Sequence, residues 1–276
     1  MPPRGKGPTM LRDAFFKGLR DQRRSLLIWV AAVAVYVVMM CSLFPSIREG
    51  AADMQGYIES MPEAFRRAFM GESTDFGNAV TYLNGELFSL MTPLFVMIFG
   101  IALAAAQIAG EEENGTLSLL LAFPVSRARL LFQKYGVLVA GTVVLCGAHL
   151  VTMLLANAAI GLDVAVSDLV GAHASLFLLA LAVATVAFAV GAATGRRGLT
   201  IAVGAGLGIV SYLLNVVAQL VESLGWLKKL SVFYYYGGAE PLRLGFRPAY
   251  AAVLLAVAAG ALLVAWLAFE RRDVRV

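Results

Sequence analysis

Six apolar runs, each long enough to cross a bilayer, decide what this chain can fold into. They lie at about 26–44, 87–109, 135–160, 169–194, 199–221 and 250–269. A spanning helix needs roughly 20 apolar residues to cross about 30 Å of hydrocarbon, and each backbone N–H and C=O in that layer must be satisfied within the protein. The expected fold class is therefore all-α and integral to the membrane, with six transmembrane helices. Composition agrees, with 60% of the 276 residues hydrophobic and 14% charged, where soluble domains carry about a quarter. The sequence holds no clustered basic face of the kind nucleic acid requires. Cys41 and Cys146 sit inside apolar runs and read as buried thiols, with neither disulfide framework nor metal spacing.

Orientation follows from Lys and Arg near the span ends. With the N-terminus inside, fifteen of the 22 Lys and Arg are cytoplasmic: seven in the N-terminal arm, then Arg127, Arg129, Lys134, Arg196, Arg197, Arg271, Arg272 and Arg275. Both termini are expected inside, in a multi-pass protein of the cell membrane. Residues 1–25 form a cytoplasmic arm and residues 26–276 the six-span domain. In the arm, Leu11, Ala14, Phe15 and Leu19 recur at helical spacing among cations, which predicts an amphipathic helix in the headgroup layer. The preceding MPPRGKGPT reads as disordered. The first span is longer than a signal-peptide core and no small-residue cleavage site follows it, so the mature chain is expected to retain it.

Outside, Ser60 and Glu63 have capping-box spacing ahead of Phe65, Ala68 and Phe69, which predicts a short helix on the outer leaflet. The loop before the last span carries Trp226 and Tyr234–Tyr236, aromatics suited to the interface. It reads as capping or partly dipped structure.

Every Asp and Glu lies outside the spans or at their edges. Ion-coupled carriers keep ionisable groups near the midplane despite a cost of about 2.5–3.5 kcal/mol each, so energy is expected to enter another way. His149 and His173 each read as helix-to-helix hydrogen bonders, and no metal site is argued. GEEENGT (110–116) has the glycine spacing of a phosphate loop but Thr116 where Lys belongs, and its carboxylates repel nucleotide. No cofactor is expected on this chain, and no enzymatic activity.

The distinctive stretch is GEEENGTLSLLLAFPVSRARLL, Gly110 to Leu131. Gly115 suits the left-handed turn that stops a helix, Thr116 can cap a new one, Pro124 ends it, and Ser126 caps the next. Seven helical residues rise only about 10 Å and cannot span. The result is a cytoplasmic finger offering Leu117, Leu120, Leu121 and Phe123, suited to docking in a groove or to lying against lipid.

The pattern E-x-E-x-G-T-L-x-x-L-L-x-x-P-[VL]-S-R resembles the cytoplasmic loop of ABC-2 type permeases, the membrane subunits of ATP-binding-cassette exporters. Glu111, Glu113, Gly115, Thr116, Leu117, Leu120, Leu121, Pro124, Val125, Ser126 and Arg127 match it. LSVFYYYGGAEPLRLG and the closing FERRDV also look familial, with Val232 where many relatives carry Pro. The resemblance implies an exporter half that pairs with a second permease subunit, identical or paralogous, and with a separate ATPase that holds ATP and Mg. Glu111, Glu113, Gly115, Thr116, Leu117, Leu120, Leu121, Phe123, Pro124 and Arg127 would form the ATPase-coupling element. The cargo would be amphipathic or hydrophobic, moved by alternating access.

Ser211, Asn215 and Gln219 fall at i, i+4 and i+8 in the fifth span, a polar stripe that faces either a wet path or another helix. In the resembled family the second and fifth spans border the transport path, which favours lining. Gly191-x-x-x-Gly195 and Gly204-x-x-x-Gly208 permit close helix approach. Two other classes fit less well: a non-transporting scaffold that docks an ATPase, and a secondary carrier, against which the empty midplane argues.

Overall fold

No proline interrupts the chain between Thr9 and Phe44, and a single helix, α1 (Thr9–Glu49), runs through arm and first span alike. The arm helix is therefore continuous with the first span, with no helix break at position 25, and one side of it packs on protein. Phe15 and Leu19 pack on the bundle core, and a Cβ on Gly18 would stand 2.8 Å from Val137. This computed structural model describes residues 9–70, 75–121 and 125–272, so the start of the arm (1–8) lies outside the described residues.

The described residues form helices with no strand. Two short helices follow α1, α2 (Ala51–Glu59) and α3 (Glu63–Met70). Ser60 ends α2, its hydroxyl donating to the Tyr57 carbonyl at 2.6 Å, while α3 is the helix expected behind it. The second span begins earlier than its apolar run. Asn78 accepts from the N–H groups of Val80 and Thr81 and starts α4 (Ala79–Leu83). A π-helical turn, Asn84–Phe88, leads to α5 (Met91–Gln107). After α6 (Ala109–Glu113) and the finger helix α7 (Thr116–Leu121) come three long helices, α8 (Arg127–Ile160), α9 (Val166–Thr194) and α10 (Arg197–Leu220). The chain then folds back through a 3₁₀ segment, Glu222–Leu230, and through α11 (Val232–Tyr236) and α12 (Pro241–Leu244). The last span is α13 (Pro248–Arg271). Among the described residues six helical stretches are long and apolar enough to cross a membrane, as the sequence predicts.

Helix α9 is the axle of the bundle. In its most apolar window 78% of residues are buried, against 17% in α1 and 22% in α13. Between helices in lipid there is little hydrophobic drive, so association depends on close packing of small residues. Ala180, Ala182, Ala184, Ala187 and Ala192 of α9 are all fully buried. The two GxxxG pairs serve this packing within the chain. A Cβ on Gly204 would stand 2.9 Å from Ala187 and 3.0 Å from Ile101, and one on Gly191 would stand 3.0 Å from Thr200.

The segment between α10 and α13 is pinned to the bundle, as its capping role requires. Tyr236 donates to the Phe88 carbonyl at 3.0 Å, and the Leu242 N–H donates to Asn84 Oδ1 at 3.1 Å. Both acceptors belong to the π turn, which helps explain why a span tolerates that irregularity. Ser231 caps α11 by accepting from the Phe233 N–H at 3.1 Å, so Val232 serves without the familial Pro.

Candidate functional site

The finger forms where the sequence places it. Gly115 adopts φ +68° between α6 and α7. Thr116 opens α7, its hydroxyl donating to the Glu111 carbonyl at 3.1 Å. Ser126 caps α8 by accepting from the Arg129 N–H. Phe123 and Pro124 lie outside the described residues. One expectation changes: Leu117 is fully buried in the main core and is not available to a partner. Leu120 and Leu121 are half-buried against the same core. A helix of six residues shows its first turn to the bundle when its base is tied down, and here the base is tied firmly.

Three successive carboxylates make those ties, each to a different span. Glu111 pairs with Lys134 of α8 at 2.5 Å, with the lysine side chain only 4% exposed. Glu112 receives both terminal nitrogens of Arg272, at the end of α13, at 3.1 and 2.5 Å. Glu113 accepts from the Arg197 N–H at 2.8 Å, where the first turn of α10 leaves donors free and favours negative charge. Arg127 closes the ring from the other side of the finger, donating to the carbonyls of Phe269 and Arg272. Such donation satisfies carbonyls that a helix end leaves open. Displacing the finger's base therefore strains the adjoining ends of the third, fifth and sixth spans together.

Sequence reasoning singled out Glu111, Glu113 and Arg127 and passed over Glu112, which makes the bidentate pair. The available signal was charge balance: three adjacent acids at the face that collects most of the cations. Gly195 is shaped to the same clasp. It sits at φ +65°, and a Cβ there would come within 2.4 Å of the Glu112 carboxylate and the Arg272 guanidinium.

At the opposite end the polar stripe of α10 divides. Ser211 is buried and does not line the cavity beside it, and its main-chain carbonyl accepts from the Ser231 hydroxyl at 2.6 Å. Asn215 and Gln219 line a cavity of about 490 Å³ shared with Lys228, Tyr234, Glu240 and Tyr250. Gln219 also donates to the Asn215 carbonyl at 3.2 Å.

Two residues treated separately in the sequence come together inside the bundle. His149 Nδ1 lies 2.7 Å from His173 Nε2, His173 Nδ1 lies 2.6 Å from the Leu169 carbonyl, and His149 Nε2 lies 3.2 Å from the Thr92 hydroxyl. A carbonyl only accepts, so with neutral rings the polarity is single: His173 donates to Leu169, His149 to His173, and Thr92 to His149. The histidines do join helices, by bonding to each other. Among the described residues no cluster of three or more His, Cys, Asp or Glu could hold a metal.

Comparison with curated proteins gives no match. The family described as "Multidrug efflux system permease Rv1217c, C-terminal domain" matches residues 11–270, from the arm through both ends of this site to the close of α13, and the chain belongs to that family.

Proposed function

We propose that the chain is the membrane half of an ABC-2 type exporter, moving amphipathic or hydrophobic compounds out of the cell by alternating access. A separate ATPase, carrying ATP and Mg, would drive it through the finger, and a second permease subunit would complete the path. The observation that carries this reading is the clasp. A force applied to the finger reaches Lys134, Arg197 and Arg272 directly, so one docking event can bias three spans. For the cycle to run, the ATPase must bind inward and outward states with unequal affinity. Asn215 and Gln219, rather than Ser211, would line the path.

The test is recovery of the ATPase with the permease from detergent. Leu120→Asp puts a charge at the finger's half-buried flank, and an unpaired charge in an apolar contact costs several kcal/mol. At 1.4 kcal/mol per factor of ten, association should weaken by about a hundredfold or more. Undiminished recovery together with normal transport sinks the coupling role. Leu117→Ala serves as the structural control, expected to lower stability by about 2–5 kcal/mol through a core cavity with no specific effect on docking.

A further inference from the structure

The cavity beside Asn215 and Gln219 has the chemistry of a head-group site. Its walls come from the last turns of α10, the 3₁₀ segment, the Gly237–Gly238 turn, α12 and the start of α13. Lys228 and Arg243 contribute positive charge and Glu240 negative; Glu240 lies 3.4 Å from Arg243, which leaves the charge of Lys228 in excess. Lys228 Nζ sits 5.5 Å above the Tyr234 ring, held over the cavity wall. Asn215 is 5% exposed, and its side-chain amide makes no hydrogen bond to any other described residue. A buried amide facing polar space is suited to a guest that brings an acceptor. Leu244 and Tyr250 add apolar lining, while Trp226 and Phe246, two residues from Lys228 and Leu244, are 60% and 47% exposed. Exposed aromatics of this kind belong at the membrane interface.

We propose that this cavity binds an amphiphile by a singly anionic head group, with Lys228 taking the charge, Asn215 donating its amide, and the apolar tail left in the surrounding lipid. The proposal rests on the membrane placement of the bundle and not on ATPase coupling. Failure of finger docking would therefore leave it standing.

Trp226, the one of the three tryptophans that lies beside Lys228 in the chain, supplies the readout when Trp29 and Trp266 are replaced by Phe. The full-length protein in detergent is titrated with dihexanoyl phosphatidylglycerol, dihexanoyl phosphatidylcholine and inorganic phosphate while tryptophan fluorescence is followed. Phosphatidylglycerol should bind saturably and at least about tenfold tighter than phosphatidylcholine, a difference of about 1.4 kcal/mol. Inorganic phosphate, lacking a tail, should not displace it. Lys228→Gln, at a half-exposed position that the fold tolerates, should erase the preference, and Asn215→Leu should weaken binding of phosphatidylglycerol. Displacement by decanoate would identify passing anionic cargo, and its failure a resident phospholipid; both carry the head-group site. Equal affinity for the two lipids, an unchanged preference in Lys228→Gln, or displacement by phosphate alone overturns the proposal.

Discussion

Replacing Arg272 by Gln tests the clasp most directly, because it removes a guanidinium and leaves the backbone bonds of Arg127 in place. The Glu112 side chain is 5% exposed and that of Arg272 15%. Deleting one partner of a fully buried pair costs about 3–5 kcal/mol, since the remaining charge loses its counterpart without regaining water. An exposed pair is worth under about 1 kcal/mol. This pair lies near the aqueous edge of the bundle, where water can follow the deleted side chain. An intermediate loss of about 2 kcal/mol is expected, roughly thirtyfold in the folded-to-unfolded ratio. Arg271, exposed and adjacent, is the control, and Arg271→Gln should stay within about 0.5 kcal/mol of the parent. Denaturant unfolding in mixed micelles measures both, and a cycle with Glu112→Gln should show coupling of about 1–2 kcal/mol. If Arg272→Gln unfolds with Arg271→Gln, or the cycle shows no coupling, the clasp is not a mechanical tie.

Gly204→Val should loosen α10 from α5 and α9 by about 1–3 kcal/mol, because its Cβ would meet Ala187 at 2.9 Å, whereas Gly206→Ala, with open space around it, should cost little. Thermal unfolding separates them. His173→Phe should cost about 2 kcal/mol by stranding buried partners at His149 and Leu169, with the loss read in the unfolding midpoint and reduced when His149→Phe is added. Cysteine labelling of intact cells should mark Glu63→Cys and Trp226→Cys at once and Arg196→Cys only after permeabilisation; the reverse pattern would overturn the orientation drawn from Lys and Arg.

What the sequence determined by itself is what short-range chemistry controls. Six apolar runs dictate six helical spans because only helices and closed barrels satisfy their own backbone in lipid, and continuous apolar runs of about 20 residues suit helices where barrel strands need only about 10 alternating ones. Gly115 and Ser126 announce the finger because stops and caps act within a few residues, and they adopt those roles, whereas Thr116 bonds back to the Glu111 carbonyl in place of capping α7. Tertiary structure decided everything that depends on partners distant in the chain. The carboxylate clasp joins residues 23, 84 and 160 positions apart, and nothing local told Glu112 from its neighbours or turned Leu117 inward. The arm became part of α1 because α8 offers Val137 to Gly18, a contact no periodicity contains. The start of the second span was hidden for the same reason: Asn84 is buried and polar, and its partner is the N–H of Leu242, 158 residues on. Local propensity sets which segments become helices, whereas pairing of buried polar groups is settled only when packing brings their partners within about 3 Å.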